Sequence, residues 1–130
     1  MYPSYEVVVR LHQDIVKITG GERGLVSPSN LAYVLETAKD IGERLSAEDA
    51  IVRKSGYLLF NVVNLHPFLD GNKRTAFEVT KDFLNLNGWK FEPEEDDALA
   101  TLISISRGES DVDTTESWIA RNLSKGKEKR

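Results

Sequence analysis

Apolar residues recur at helical spacing on both sides of a short polar segment, residues 66–74. Because positions three and four apart share one face of an α-helix, each apolar run predicts a helix with one buried face. The predicted inward-facing residues are Ile51, Leu58, Leu59, Val62 and Leu65 before the segment, and Ala76, Val79, Phe83 and Leu86 after it. The first of these helices should run from about residue 47 to residue 65, and Gly88 should end the second. The polar segment is therefore predicted to join two central helices.

Two more helices are predicted ahead of this pair. In the first, the apolar stripe consists of Val7 or Val8, Leu11, Ile15 and Ile18, and Gly20 with Gly21 ends it. The second begins at Ser27 and Pro28, a common helix-start pair. Its predicted buried face is Leu31, Val34, Leu35 and Ala38. Residues 37–46 have weak periodicity and contain Gly42, so we predict a connection there.

Two further helices are predicted after residue 92. Pro93 and the acidic residues around it open one of them, since a helix dipole favours negative charge at its start. Its predicted core face is Leu99, Leu102 and Ile105, with Gly108 as its end. Asp113 and Glu116 resemble a capping box that opens the last helix, with Trp118, Ile119 and Leu123 as its apolar residues. Since only residues 89–91 alternate like a strand, we predict an all-α bundle of about six helices with at most a short extended pair.

The composition is typical of one soluble domain. A chain of 130 residues can bury one core but is short for two, so we predict a single domain over residues 1–124 and a basic frayed tail over residues 125–130. The net charge of -4 argues against direct binding of nucleic acid. There are no cysteines, no apolar run of membrane-spanning length and no start typical of a signal peptide, so we expect a cytoplasmic protein without a membrane segment.

The polar segment contains the groups that a phosphate site needs. Gly71 and Asn72 stand at a predicted helix start, where the first amides lack intrahelical partners and the dipole attracts an anion. Gly71 has no Cβ, so its backbone can approach a phosphate closely. Asn72 can either cap the helix or donate its side-chain amide to a phosphate oxygen. Lys73 adds a point charge and Arg74 a bidentate fork, which together predict the binding of a di- or triphosphate.

Two residues of the same segment suggest a reaction. A carboxylate such as Asp70 repels phosphate unless Mg²⁺ lies between them, and Mg²⁺ binds through one or two carboxylates plus phosphate oxygens. Asp70 is therefore the predicted metal ligand. His66 is the only group of the segment whose ordinary pKa, about 6.5, suits proton abstraction at neutral pH. We predict that His66 is the catalytic general base on an attacking hydroxyl.

Simpler interpretations exist for these residues. The structural alternative for the segment is a turn followed by a capped helix. A calcium loop that starts at Asp70 is ruled out, because Arg74 and Thr75 occupy positions that need an oxygen ligand and a glycine. No second histidine lies near a carboxylate at the spacing of metal ligands, which argues against zinc. His12, on the first predicted helix, lacks neighbours of this kind and is interpreted as a packed or surface residue.

Residues 66–76 read HPFLDGNKRTA, which resembles the signature of the Fic/Doc family, specifically its Doc ("death on curing") branch. The likeness extends to the chain length, to the helix with Leu11 and His12 that runs into two glycines, and to residues 86–88 after the motif. The resemblance implies an all-α Fic fold, ATP held with Mg²⁺ in the motif loop, and a target hydroxyl activated by His66. It also implies that the connection over residues 37–46 forms a flap that aligns the target.

Two positions depart from the AMP-transferring Fic pattern, since Lys73 replaces a glycine and Phe77 replaces an arginine. Lys73 adds bulk and charge where the phosphates would lie, and the missing arginine removes a phosphate clamp. Doc-type members share the lysine, and the likeness to them implies that the nucleotide binds in the reverse sense and presents its γ-phosphate. The implied reaction is phosphorylation of a Ser/Thr hydroxyl on a protein, which in Doc toxins is a translation GTPase. AMP transfer to a hydroxyl and a non-catalytic nucleotide- or partner-binding domain are the alternatives.

The resemblance also bears on how activity would be controlled. Fic proteins are often inhibited by an internal helix with the pattern (S/T)xxxE(G/N). Here only Ser124 and Glu128 have that spacing, and Lys129 follows them in place of glycine or asparagine, so we reject internal inhibition. We expect instead that a small antitoxin acts in trans and folds a segment into a groove on this protein.

Overall fold

The computed structural model describes residues 2–21, 24–65, 67 and 71–126. In this part of the chain the prediction of six helices and one short extended pair is confirmed. In chain order the elements are α1 (Tyr5–Thr19), α2 (Pro28–Asp40), α3 (Ala47–Leu65), α4 (Asn72–Leu86), β1 (Trp89–Phe91), α5 (Glu95–Ser106), α6 (Val112–Arg121) and β2 (Leu123–Lys125). Within the same ranges, no helix combines the length and the apolar character needed to cross a membrane.

Helices α3 and α4 form the centre of the bundle. They pack against each other, α3 also contacts α2, α5 and α6, and α4 contacts α1 and α5. The predicted inward-facing residues that are buried on these two helices are Ile51, Leu58, Leu59, Val62, Ala76, Val79 and Phe83. Burial of each large apolar side chain stabilises the fold by about 1.5–3 kcal/mol. The polar segment therefore joins the two helices that the core holds most firmly, as predicted.

A short sheet brings the end of the described chain back beside α4. Strands β1 and β2 pair antiparallel, with Phe91 opposite Leu123. Gly88 has a left-handed φ of 85° directly after α4, which confirms it at the end of that helix. Leu123 lies in β2, so its predicted place on the last helix is wrong. Lys125 also belongs to β2, whereas residues 127–130 of the predicted tail lie outside the described residues.

Helix α2 is longer than its sequence pattern suggests. It continues to Asp40, so residues 37–40 are helical and only residues 41–46 form the connection. The last turn of α2 is held from another helix, because the Lys54 ammonium donates to the carbonyls of Ala38 at 3.1 Å and Lys39 at 2.8 Å. A cation that binds the last carbonyls of a helix stabilises its end. The apolar period of α2 alone does not reveal this contact.

Helix α6 begins at a different cap from the predicted one. The Asp111 carboxylate accepts a hydrogen bond from the Thr114 amide at 2.8 Å. Asp111 has the extended backbone that an N-cap requires, with φ -120° and ψ 177°. Asp113 lies inside the first turn instead, so the predicted capping box of Asp113 and Glu116 is wrong.

Three residues that were predicted to face the core are exposed. Ile18 is 85% exposed and Leu86 is 51% exposed, and each lies in the last turn of its helix. Leu99 is 53% exposed, while its neighbour Ala98 is buried. Helical spacing identifies a face of a helix but not how far the neighbouring elements cover it.

Helix α5 is fixed to the rest of the bundle by an aromatic residue of α6. The indole N–H of Trp118 donates to the Asp97 carboxylate at 2.8 Å. The same indole meets the Phe91 ring edge-on, with 5.4 Å between the ring centroids. Such aromatic pairs stabilise by about 0.5–1.5 kcal/mol beyond the area that they bury. These contacts hold α5 and β1 in place, where they form one wall of a cavity beside α4.

Candidate functional site

The start of α4 presents backbone amides that a bound anion can use. Gly71 is the N-cap of α4, with a left-handed φ of 76°. The first hydrogen bond of the helix runs from the Thr75 amide to the Gly71 carbonyl, at 2.9 Å. The amides of Lys73 and Arg74 precede Thr75, so the helix itself provides no carbonyl for them. Together with the helix dipole, amides in this position favour an anion by about 0.3–1 kcal/mol. Because Gly71 is the cap, the capping role predicted for Asn72 is wrong, and its role as a phosphate donor stays a prediction.

Two cations stand on the first turn of α4. Lys73 and Arg74 are both exposed. The Arg74 Nε lies 3.5 Å from Oε1 of Glu78, and 64% of the Arg74 side chain is exposed. An ion pair this exposed contributes about 0–1 kcal/mol. A phosphate can therefore draw the Arg74 guanidinium away from Glu78, since bidentate bonding to phosphate is stronger.

The beginning of the polar segment is anchored to the start of α2. The Pro67 carbonyl accepts hydrogen bonds from the amides of Val26 at 2.8 Å and Ser27 at 3.0 Å. The Asn30 side-chain amide donates to the Leu65 carbonyl at 3.1 Å. Pro67 itself is buried. These bonds fix the chain on the α3 side of the segment, while the α4 helix fixes it on the other side.

Helix α1 lies directly against Gly71. A Cβ built on Gly71 would be 3.2 Å from Cγ1 of Val16 and 3.6 Å from both Cδ2 and Nε2 of His12. Each of these two α1 side chains is 2% exposed. Of the two environments predicted for His12, packed or at the surface, the structure shows the packed one, and the ring lies beside Gly71 of the polar segment. Sequence analysis missed this neighbour because no local pattern relates residue 12 to residue 71.

A cavity of about 790 Å³ lies beside the start of α4. Residues 71–74, which are all four of the predicted phosphate-binding residues, line it together. The other lining residues come from the end of α1, from α4, from β1 and α5, and from the chain between these last two elements. They are Ile15, Thr19, Phe77, Glu78, Lys81, Phe91, Glu92, Pro93, Glu95, Ala98, Leu99 and Leu102. Since α4 rises about 1.5 Å per residue, the stretch from residue 71 to residue 81 spans the length of a small ligand.

Part of the cavity wall is apolar. The Phe77 ring lies 5.8 Å from the Phe91 ring, measured between centroids. Leu99 and Leu102 of α5 line the same cavity. Leu99 therefore contributes to this wall, although its apolar character predicted a core position. The sequence indicated residues 71–74 but not the part that β1 and α5 play in the site.

Two of the predicted site residues, His66 and Asp70, lie outside the described residues, and their roles stay predictions. Within the described ranges, no group of three or more His, Asp or Glu residues is placed to hold a metal ion. Residues 41–46, all of which the structure describes, contribute no side chain to the cavity lining. The flap predicted for residues 37–46 is thus a helix end and a connection away from the cavity lining, and its role in aligning a target stays a prediction.

Comparison with protein families agrees with the local chemistry. The family model described as the Fic/DOC family matches residues 2–84. The match begins before α1 and ends near the end of α4, so it includes the polar segment, the anchor on α2 and the α1 residues beside Gly71. No curated protein matches the chain significantly. Because the family match covers more than half of the 130 residues and the fold is all-α, this chain belongs to the Fic/DOC family.

Proposed function

We propose that this protein is a Mg-ATP-dependent phosphotransferase that phosphorylates a Ser or Thr hydroxyl of another protein. Proteins of the Fic/DOC family are generally nucleotide-transferring enzymes, so membership supports a transferase. The observation that carries the finer proposal is the cavity at the start of α4, where residues 71–74 meet an apolar wall that includes Phe77.

The described residues fit a polyphosphate. Gly71 has no side chain, so a phosphate can approach its backbone closely. The amides of Lys73 and Arg74 lie in the first turn of α4, where a helix binds anions. The cavity of about 790 Å³ falls within the range of roughly 300–1,000 Å³ that is common for small-molecule sites. The apolar wall suits a nucleobase, since stacking on an aromatic ring is worth about 1–3 kcal/mol. A nucleoside triphosphate would thus lie along α4, with its phosphates at residues 71–74.

The positions of charged and apolar residues in the cavity support one orientation of the nucleotide. Phe77 comes one helical turn after Arg74 and supplies ring surface where an arginine would clamp a phosphate. With the base at this wall, the phosphate chain extends toward the start of α4. The γ-phosphate, which is farthest from the base, would then lie at the start of α4, and residues 66–70 directly precede Gly71 in the sequence. This arrangement favours transfer of the γ-phosphoryl group over transfer of AMP.

In the proposed step, the target hydroxyl oxygen forms a bond to the γ-phosphorus while the bond from that phosphorus to the β–γ bridging oxygen breaks. ADP is the leaving group, and the imidazole of His66 accepts the hydroxyl proton. Residues 71–74 hold the phosphates throughout. Asp70 is the residue that would hold Mg²⁺, which neutralises phosphate charge when bound.

Incubation with Mg²⁺ and either γ-labelled or α-labelled ATP in a cell extract tests this function. The expected result is label on a protein from γ-labelled ATP only. Transfer of the α-label would instead establish AMP transfer, and the intact mass of the modified target would distinguish the two additions. Binding of ATP without transfer of either label would identify a non-catalytic nucleotide-binding domain.

The substitution Phe77→Arg is expected to shift the label that is transferred. A guanidinium one turn after Arg74 would add a charged hydrogen bond to a phosphate, worth about tenfold in affinity for ATP. It would also draw the phosphates toward residue 77, so the ratio of α-label to γ-label on the target should rise. Phe77→Leu is the matched control, because it keeps the wall apolar and should leave that ratio unchanged. An unchanged ratio in Phe77→Arg would show that residue 77 does not select the transferred group.

The likeness to Doc toxins supports two further parts of the proposal. The modified protein would be a translation GTPase, and a small antitoxin would control the enzyme in trans. The cavity lining includes charged Lys81, Glu92 and Glu95 as well as apolar Leu99 and Leu102, a combination that suits an amphipathic segment of a partner. Copurification with a short protein encoded nearby is expected, and full activity in the presence of that protein would contradict control in trans.

A further inference from the structure

The buried face of α1 contains one imidazole among aliphatic side chains. Val8, Ile15 and Val16 are buried on this face, and so is His12, at 2% exposure. Packing alone would favour another aliphatic residue at position 12, because burial of polar ring nitrogens costs free energy that a leucine avoids. An imidazole at this position therefore suggests a role other than packing.

The position of the ring beside Gly71 indicates this role. Cδ2 and Nε2 of His12 both lie 3.6 Å from the point where Gly71 would carry a Cβ. The Cδ2–Nε2 edge of the ring thus bounds the space beside Gly71, the residue at which α4 begins and at which the backbone is left-handed, with φ 76°. Val16, one turn further along α1, closes the same space with Cγ1 at 3.2 Å. Two side chains of α1, His12 and Val16, therefore bound the space beside Gly71.

We propose that His12 is a positioning residue that sets where α4 begins and, through Gly71, where the amides of Lys73 and Arg74 point. Its consequence for nucleotide binding rests on the proposed function, whereas its effect on the start of α4 does not. A displacement of about 1 Å in a group that holds a substrate can cost about a hundredfold in rate.

Two substitutions at residue 12 separate positioning from packing. His12→Leu keeps the volume and apolar contact of the ring but removes its polar edge. His12→Gln places an amide at about the reach of Nε2 and keeps the ability to hydrogen bond. Val8→Ala is the matched control, because Val8 is fully buried on the same helix and is not among the nearest neighbours of Gly71. Its loss of buried methyl groups should lower the unfolding temperature of the whole domain.

The readouts are thermal unfolding, amide hydrogen exchange of peptides that cover residues 71–80, and affinity for Mg-ATP. We expect His12→Leu to keep the unfolding temperature close to that of the wild type, yet to speed exchange at residues 75 and 76 at least about fivefold, because the start of α4 would lose the support of the ring. Its affinity for Mg-ATP should fall about tenfold. His12→Gln should restore most of both properties, and Val8→Ala should lower stability without a selective change at residues 71–80.

Each other outcome has a definite meaning. Wild-type exchange over residues 71–80 in His12→Leu would overturn the proposal. Equal defects in His12→Leu and His12→Gln, both in proportion to lost stability, would also overturn it, because they would show that the ring only fills space. If the exchange data follow the expectation but the wild-type protein binds no Mg-ATP, positioning of Gly71 by His12 stands and the proposed phosphotransferase function fails.

Discussion

Replacement of His66 by alanine is expected to lower the rate of phosphoryl transfer by about 10²- to 10⁴-fold, the usual contribution of a general base. The affinity for Mg-ATP should stay within about twofold of the wild-type value, because the proposed function assigns the phosphates to residues 71–74 and not to the imidazole. The measurement is single-turnover transfer of γ-label to the target, with binding of Mg-ATP determined on the same preparation.

Arg74→Ala is the matched comparison for His66→Ala. It removes a phosphate-binding fork and should therefore raise the dissociation constant of Mg-ATP by about tenfold or more. At saturating ATP it should lose less transfer activity than His66→Ala. The assignment of His66 as the base fails if His66→Ala still modifies its target at a rate near that of the wild type.

The substitution Gly71→Ala is expected to have the largest effect on the fold around the site. Alanine in a left-handed backbone costs about 1–2 kcal/mol. Its Cβ would also lie 3.2 Å from Cγ1 of Val16, which is buried and must move by a few tenths of an ångström. We expect the free energy of unfolding to fall by about 2–3 kcal/mol in total. Because the start of α4 must shift, the affinity for Mg-ATP should fall as well, and denaturant titration with ATP binding measures both losses.

Gly88→Ala separates backbone strain from crowding. Gly88 stands at the other end of α4 and also has a left-handed φ, 85°, but a Cβ there would meet no atom within 4 Å. It should lose only the backbone contribution of about 1–2 kcal/mol and should bind Mg-ATP normally. In a double-mutant cycle, Val16→Ala combined with Gly71→Ala should lose less stability than the two single losses added together. Equal effects of Gly71→Ala and Gly88→Ala on stability and on ATP affinity would contradict a role for the contact with α1.

Much of the helical framework can be predicted from spacing. The face of α2 and most of the faces of α3 and α4 are buried as their apolar periods indicate, and α3 has the predicted bounds. These predictions succeed because a helix is a local structure whose buried face repeats every three or four residues. The errors lie at the ends of elements, where Ile18 and Leu86 extend past the residues that could cover them.

The end of α2 depends on a contact between residues that are far apart in the sequence. Residues 37–40 remain helical with their last carbonyls bound by Lys54, which is on another helix. Leu99 lies at a cavity wall that includes residues of α1, α4 and β1. An apolar residue beside a cavity and one in the core look alike in a sequence, because both positions favour the same side chains.

The helical framework and the prediction of a phosphate site at residues 71–74 come from the sequence alone, because both depend on residues that are neighbours in the chain. Only the tertiary structure placed His12 and Val16 beneath Gly71 and built the wall of Phe77, Phe91 and Leu102. These groups come from separate elements, and their distances are set by how the helices pack around α3 and α4. Spacing along a chain encodes the face of a helix, whereas the partner of that face is decided by packing of the whole domain.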